Sequence, residues 1–220
     1  MWVATATFFS FPFFLAFSFF QTYYFFVNIY FLGCPCSGKT TTAALIFAEL
    51  KETGISCEFI PEQARFYIAE IRVKNNLQPY DPVILSDDDQ ISILEKQLSL
   101  QEVMRKAIGE YGIIVTDTSP VNSFLYMKHI DKNNPKLMNL LSKIESPDDI
   151  YFYCPPVAKA GPSDPNRIHS YEQSLKIDES LPEILQEHFP NIYKRLITLT
   201  GTPAIRQTQV FSEVMNRRLG

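Results

Sequence analysis

The sequence is short of positive charge, and its first part carries no charge at all. Among 220 residues, 20 Lys and Arg stand against 24 Asp and Glu, giving a net charge of −4, and no charged side chain occurs between Trp2 and Gly38. An acidic balance of this kind excludes a broad cationic face for duplex nucleic acid, though a few local cations suffice for a small anion. Glycine is sparse as well, at 8 residues beside 15 Pro, which excludes a collagen-like polymer. With 46% hydrophobic and 20% charged residues, a wholly disordered chain is excluded too. The four cysteines, Cys34, Cys36, Cys57 and Cys154, show no disulfide-framework spacing, and Cys34-Pro35-Cys36 is not a zinc-type C-x-x-C pair. Reduced thiols in a cytosolic protein are the expectation. The length suits one α/β domain with a sizeable core, with room for a small lid but hardly for a second domain.

Aromatic residues are 14% of the chain, and the phenylalanines crowd before residue 27. Phe8 to Phe20 is almost continuously apolar, long enough to raise a membrane segment. No Lys or Arg follows Met1 as a secretory signal requires, no clear cleavage site is present, and Gln21, Thr22 and Asn28 interrupt any longer span. Residues 1–24 are therefore read either as a membrane anchor or as a leader that the globular pattern, which starts near Phe25, does not need.

From there, short apolar runs alternate with helical patterns. Strands are expected at Val27–Leu32, Cys57–Ile60, Ile113–Thr116, Ile150–Cys154 and Tyr193–Leu199. Helices are expected at about 39–52, 62–74, 88–109, two pieces within 121–144, then 178–189 and 203–218. The Pro-, Gly-, Ser- and Asp-rich stretch 155–170 reads as a mobile loop. Such alternation predicts a parallel sheet covered on both faces.

One motif carries chemistry on its own. Gly33, Cys34, Pro35, Cys36, Ser37, Gly38, Lys39 and Thr40 fit G-x-x-x-x-G-K-[ST], between a buried strand and a helix. In that setting successive main-chain N–H groups and the helix dipole converge on one anion. Lys39 is expected on the β- and γ-phosphates of a nucleoside triphosphate and the Thr40 hydroxyl on Mg²⁺. Asp117, closing the run Ile113-Ile114-Val115-Thr116, is the expected acid of the same magnesium site. Cys34 and Cys36 read as small filler residues rather than redox or metal groups. A helix N-terminus lowers thiol pKa, which is the one route to oxidation sensitivity here.

Further elements in order along the chain carry a family resemblance: PEQAR at 61–65, Asp89, Ile93 and Gln97 at four-residue spacing, IIVTDT at 113–118, and Phe124-Leu125-Tyr126. DDIYFYCPP at 148–156, Asp164-Pro165-Asn166-Arg167, and Leu199-Thr200-Gly201 followed by Arg206 complete it. Together with GCPCSGKTT at 33–41, where Thr41 extends the loop, these resemble the P-loop kinase-like family that contains the nicotinamide riboside kinase domain of NadR-type proteins, often grouped as an AAA-like ATP-binding domain. The resemblance runs from about Val27 to Val214. It implies a P-loop NTPase fold over 25–220, with a five-stranded parallel sheet in the order 2-3-1-4-5 and a lid at about 157–178. It further implies ATP and Mg²⁺ as cofactors and a small-molecule acceptor touched by Glu62, Arg65, Asp89 and Gln97. Arg167 becomes a catalytic lid arginine, with Lys159 a lesser lid candidate, and Gly201 and Arg206 fall near the base end of ATP. Pro165-Asn166 stand where such kinases usually carry an aspartate-glycine pair, so the acceptor's identity is the part least implied.

The expected function is Mg·ATP-dependent phosphorylation of a small nucleoside-like acceptor. The rival is an ATP- or GTP-binding regulatory module that hydrolyses slowly and acts through a protein or membrane partner. An N-K-x-D base-recognition motif is lacking, which disfavours a Ras-like GTPase.

Overall fold

The computed structural model describes residues 26–157 and 168–219. The 1–24 leader and the middle of the expected lid, Lys159 and Arg167 included, lie outside the described residues. The chain runs β1 Val27–Leu32, α1 Lys39–Glu52, β2 Cys57–Ile60, α2 Gln63–Lys74, α3 Asp87–Ile108 and β3 Ile113–Thr116. It continues through α4 Asn122–Tyr126, α5 Pro135–Leu141, β4 Ile150–Tyr153, α6 Tyr171–His188, α7 Pro190–Arg195, β5 Ile197–Thr198 and α8 Pro203–Leu219.

The five strands form one parallel sheet in the order β2-β3-β1-β4-β5. The pleat of β1 shows why both faces are covered. Ile29 and Phe31 point to one side, where they join Ala43, Ile46 and Leu50 of α1 and Val210 and Val214 of α8. Tyr30 and Leu32 point to the other, among Leu94 of α3, Phe124 of α4, and Leu181 and Leu185 of α6. Each fully buried side chain of this size stabilises by about 1.5–3 kcal/mol, so a strand with apolar residues on both sides has no exposed alternative of comparable energy.

Two elements depart from the sequence reading. Helix α6 starts at Tyr171, not near 178, because Ser170 and Gln173 form a reciprocal capping box: the Ser170 hydroxyl accepts the Gln173 N–H at 3.2 Å and the Gln173 amide oxygen accepts the Ser170 N–H at 2.7 Å. Residues 171–178, the last of the expected lid range, are therefore helical. The first three residues of the expected strand Tyr193–Leu199 belong instead to the helix α7, which Pro190 opens at its first position, and only Ile197–Thr198 pair with β4. Ile192 and Phe189 bury through this helical turn.

At the end of the sheet where strands begin, Asp149 is buried and accepts hydrogen bonds from the Asn28 side chain at 2.8 Å and main chain at 3.3 Å. Burial pushes its carboxyl up to about 6, with the Asn28 bonds opposing. A carboxyl whose folded pKa lies above its unfolded value binds its proton more tightly when folded, so its contribution to stability falls as pH rises from about 4 to about 6. Asp149→Asn keeps an acceptor for Asn28 and removes this loss. Urea unfolding at pH 4 and pH 7 should show the variant gaining on the wild type at the higher pH.

Candidate functional site

The loop between β1 and α1 takes its shape from two glycines. Gly33 sits at φ 131°, and a Cβ there would lie 2.4 Å from the Cys154 carbonyl oxygen, so only glycine lets the loop leave β1 against β4. Gly38 caps α1 at φ 84°. Both conformations turn the intervening residues over the first turn of α1, whose N-terminal amides favour an anion.

Lys39 is only 8% exposed and folds back across this loop. Its ammonium donates to the Gly33 carbonyl at 2.8 Å and the Cys34 carbonyl at 2.7 Å. Two residues not singled out in the sequence hold the same stretch: the Asn122 amide donates to the Gly33 carbonyl at 3.1 Å, and Asp178 of α6 accepts the Cys34 main-chain N–H at 3.1 Å. Arg206, also buried, donates to the Ser37 carbonyl at 2.6 Å and the Pro155 carbonyl at 3.2 Å, tying α8 to the loop from behind. Gly201, at φ 78°, lies in the turn between β5 and α8. Burial first, then neighbouring Asp178, pushes the Cys34 thiol up to about 12, the reverse of the lowering expected at a helix N-terminus.

The end of β3 meets this loop. The Asp117 N–H donates to the Ile60 carbonyl at 2.9 Å, which fixes the residue at the carboxyl end of β3, and the residue is 1% exposed. The Thr40 hydroxyl donates to Asp117 Oδ2 at 2.9 Å, whereas Oδ1 is buried without a partner. Burial, with Glu62 adding to it, pushes this carboxyl up to about 6, opposed by the Thr40 bond, Lys39 and Arg65. Such an orphaned acceptor beside a hydroxyl suits a divalent cation: magnesium is commonly held by one or two carboxylates together with phosphate oxygens. Among the described residues no cluster of three or more His, Cys, Asp or Glu side chains forms a self-sufficient metal site.

A cavity of about 460 Å³ opens in front of the loop. Residues Pro35 to Thr41 and Asp117 line one side, and Glu62, Arg65 and Gln90 another. Glu62 and Arg65 pair at 2.9 Å across the first turn of α2. Phe59, Phe66 and Leu85 supply apolar wall, and Tyr126 stacks on His169 with ring centroids 5.3 Å apart. Burial lowers the His169 pKa, which keeps its imidazole neutral at pH 7.

Asp89 and Gln97 stand outside this lining. Asp89 is the third residue of α3 and accepts from Ser86 N–H and hydroxyl, each at 2.7 Å, and from the Tyr67 hydroxyl at 2.7 Å. Gln97 is buried and donates to the Thr118 carbonyl. One residue's rotation about the helix turns Gln90, not Asp89, toward the cavity.

Strand, G-x-x-x-x-G-K-T loop and helix at the carboxyl end of a parallel sheet, with an acid on the neighbouring strand end, define a P-loop nucleotide-binding protein. Residues 28–196 match the AAA domain family, and the chain belongs to it. Solved structures of the same fold include NadR in complex with NAD and AMP-PNP, at 16% identity and a TM-score of 0.55, covering 86% of this chain and 50% of that one. NadR in complex with NR aligns at 18% identity and a TM-score of 0.52 over 89% of this chain and 52% of the other. Thymidylate kinase from Candida albicans aligns at 16% identity and a TM-score of 0.53 over 88% and 92%. The chain thus spans about half the length of the NadR chains. No curated protein matches it. Among the described residues no helix is long and apolar enough to cross a membrane.

Proposed function

We propose that the protein is a Mg·ATP-dependent kinase acting on a small nucleoside-like acceptor that carries no phosphate. The observation that carries this reading is one cavity in which the phosphate loop and the Thr40–Asp117 pair face the Glu62–Arg65 pair. The loop amides and the Lys39 ammonium, stationed by the Gly33 and Cys34 carbonyls, bind the β- and γ-phosphates. Thr40 and Asp117 hold Mg²⁺, which when bound neutralises charge on the phosphates. Glu62 accepts a hydrogen bond from the acceptor hydroxyl, and Arg65 fixes its carboxylate. As the hydroxyl oxygen bonds to the γ-phosphorus and the bond to the β–γ bridging oxygen breaks, Glu62 takes the proton late, since a loose transition state asks little of a base.

Charge favours a nucleoside over a nucleoside monophosphate. Among the described lining residues, Lys39 and Arg65 face Glu62 and Asp117, and the triphosphate engages Lys39. Arg65, paired with Glu62, is then the remaining cation among the described lining residues for a second phosphoryl group. NadR with bound NR and thymidylate kinase share this fold, so both acceptor types belong in the test. In an ADP-release assay over nucleosides, nicotinamide riboside and nucleoside monophosphates, release is expected only with an uncharged or cationic acceptor. Glu62→Ala should raise the KM for that acceptor about tenfold or more, leaving the KM for ATP near its original value, as expected for a lost hydrogen bond to a charged group. Slow ADP release indifferent to every acceptor would favour the regulatory reading instead.

A further inference from the structure

The Gly33–Cys34 peptide unit is gripped at both ends. Its carbonyl accepts from Lys39 at 2.8 Å and Asn122 at 3.1 Å, and its N–H donates to Asp178 Oδ1 at 3.1 Å. The other Asp178 oxygen accepts the Tyr153 hydroxyl at the end of β4, so the carboxylate is itself held on the sheet. A negative charge this close to a triphosphate site repels the ligand. Its presence makes sense if it sets backbone geometry. Gly33 has no Cβ to restrain its own dihedrals, and its φ of 131° lies where few residues settle unaided. Without Asp178, the peptide plane turns more freely, and the carbonyl that stations Lys39 turns with it.

We propose that Asp178 is a positioning residue: it locks the Gly33–Cys34 peptide, and through it Lys39, in the orientation that receives a triphosphate. This rests on reading the loop as a triphosphate site. It assigns to α6, 144 residues from Cys34, a part in nucleotide affinity.

Binding of a fluorescent ATP analogue with Mg²⁺ tests it on the full chain, with thermal unfolding alongside. Asp178→Ala should weaken binding about tenfold or more, the usual scale for a lost hydrogen bond to a charged group. Asp178→Asn, whose amide oxygen still accepts the Cys34 N–H, should stay within about threefold of the wild type, because most of that bond is kept. In turnover, the Ala variant should raise the KM for ATP and leave the KM for acceptor unchanged, a split that general loosening of the fold does not produce. If the Ala variant fails to fold, Asp178→Ser, whose oxygen stops short of Cys34, takes its place with the same expectation. Affinity in the Ala or Ser variant equal to or above that of the wild type overturns the proposal, as does a loss in Asp178→Asn as large as in Asp178→Ala. Lys39→Ala separates the two levels: if it too binds normally, the triphosphate reading fails, whereas if it alone loses binding, only the role of Asp178 does.

Discussion

Lys39→Ala is expected to lower ATP-dependent phosphoryl transfer by about 10²- to 10³-fold while the protein stays folded, the scale seen when one preorganised charge-stabilising donor is removed. The ammonium is buried against two carbonyl oxygens, Gly33 and Cys34, and the first of these keeps Asn122 as a partner after the substitution. The core on both faces of the sheet does not include the side chain. Catalysis and stability therefore separate at this position. Steady-state ADP release beside a thermal melt measures both, and undiminished turnover contradicts the site.

Asp117→Asn has the second largest expected effect, and it acts on the metal. The amide keeps an oxygen for the Thr40 hydroxyl but loses the charge that a divalent cation requires. The Mg²⁺ concentration for half-maximal activity should rise about 10- to 100-fold, comparable to the loss of a shell partner at other metal sites. Metal-free stability should move the other way. Burial holds the Asp117 carboxyl up to about 6, so its ionised form costs stability at neutral pH, and the Asn variant is spared that cost. A titration of activity with Mg²⁺ and a melt in EDTA at pH 7.5 check the two signs. Unchanged Mg²⁺ dependence contradicts the assignment of Asp117.

Local pattern was enough for β1 to β4, since each buried run stands between polar or glycine breaks and needs no distant information. The same holds for where residues 33–40 and Asp117 fall, between β1 and α1 and at the end of β3, since a strand end places Asp117 beside β1 once the sheet order is known. What the pattern could not resolve depends on contacts between distant segments or on a single residue's phase. Pro190 is ordinary loop chemistry until Phe189 and Ile192 find the core, and then it opens a helix. Asp89 and Gln90 differ by one step about α3, yet one caps the helix and the other faces the cavity. The family resemblance implies that Asp89 and Gln97 face the cleft together, and the helix's phase decides otherwise. Asn122, Asp178 and His169 carry no motif, and Asp178 reaches Cys34 only because α6 packs beside the loop. Ser170-x-x-Gln173 was a readable signal for the start of α6.

The most direct measurement is calorimetric titration of the full chain with AMP-PNP, with and without Mg²⁺, in the wild type and in Lys39→Ala. One binding site that strengthens with Mg²⁺ and is lost or strongly weakened in the variant is the expected result. Absence of binding to the wild type with Mg²⁺ present, or equal binding to both proteins, contradicts the account.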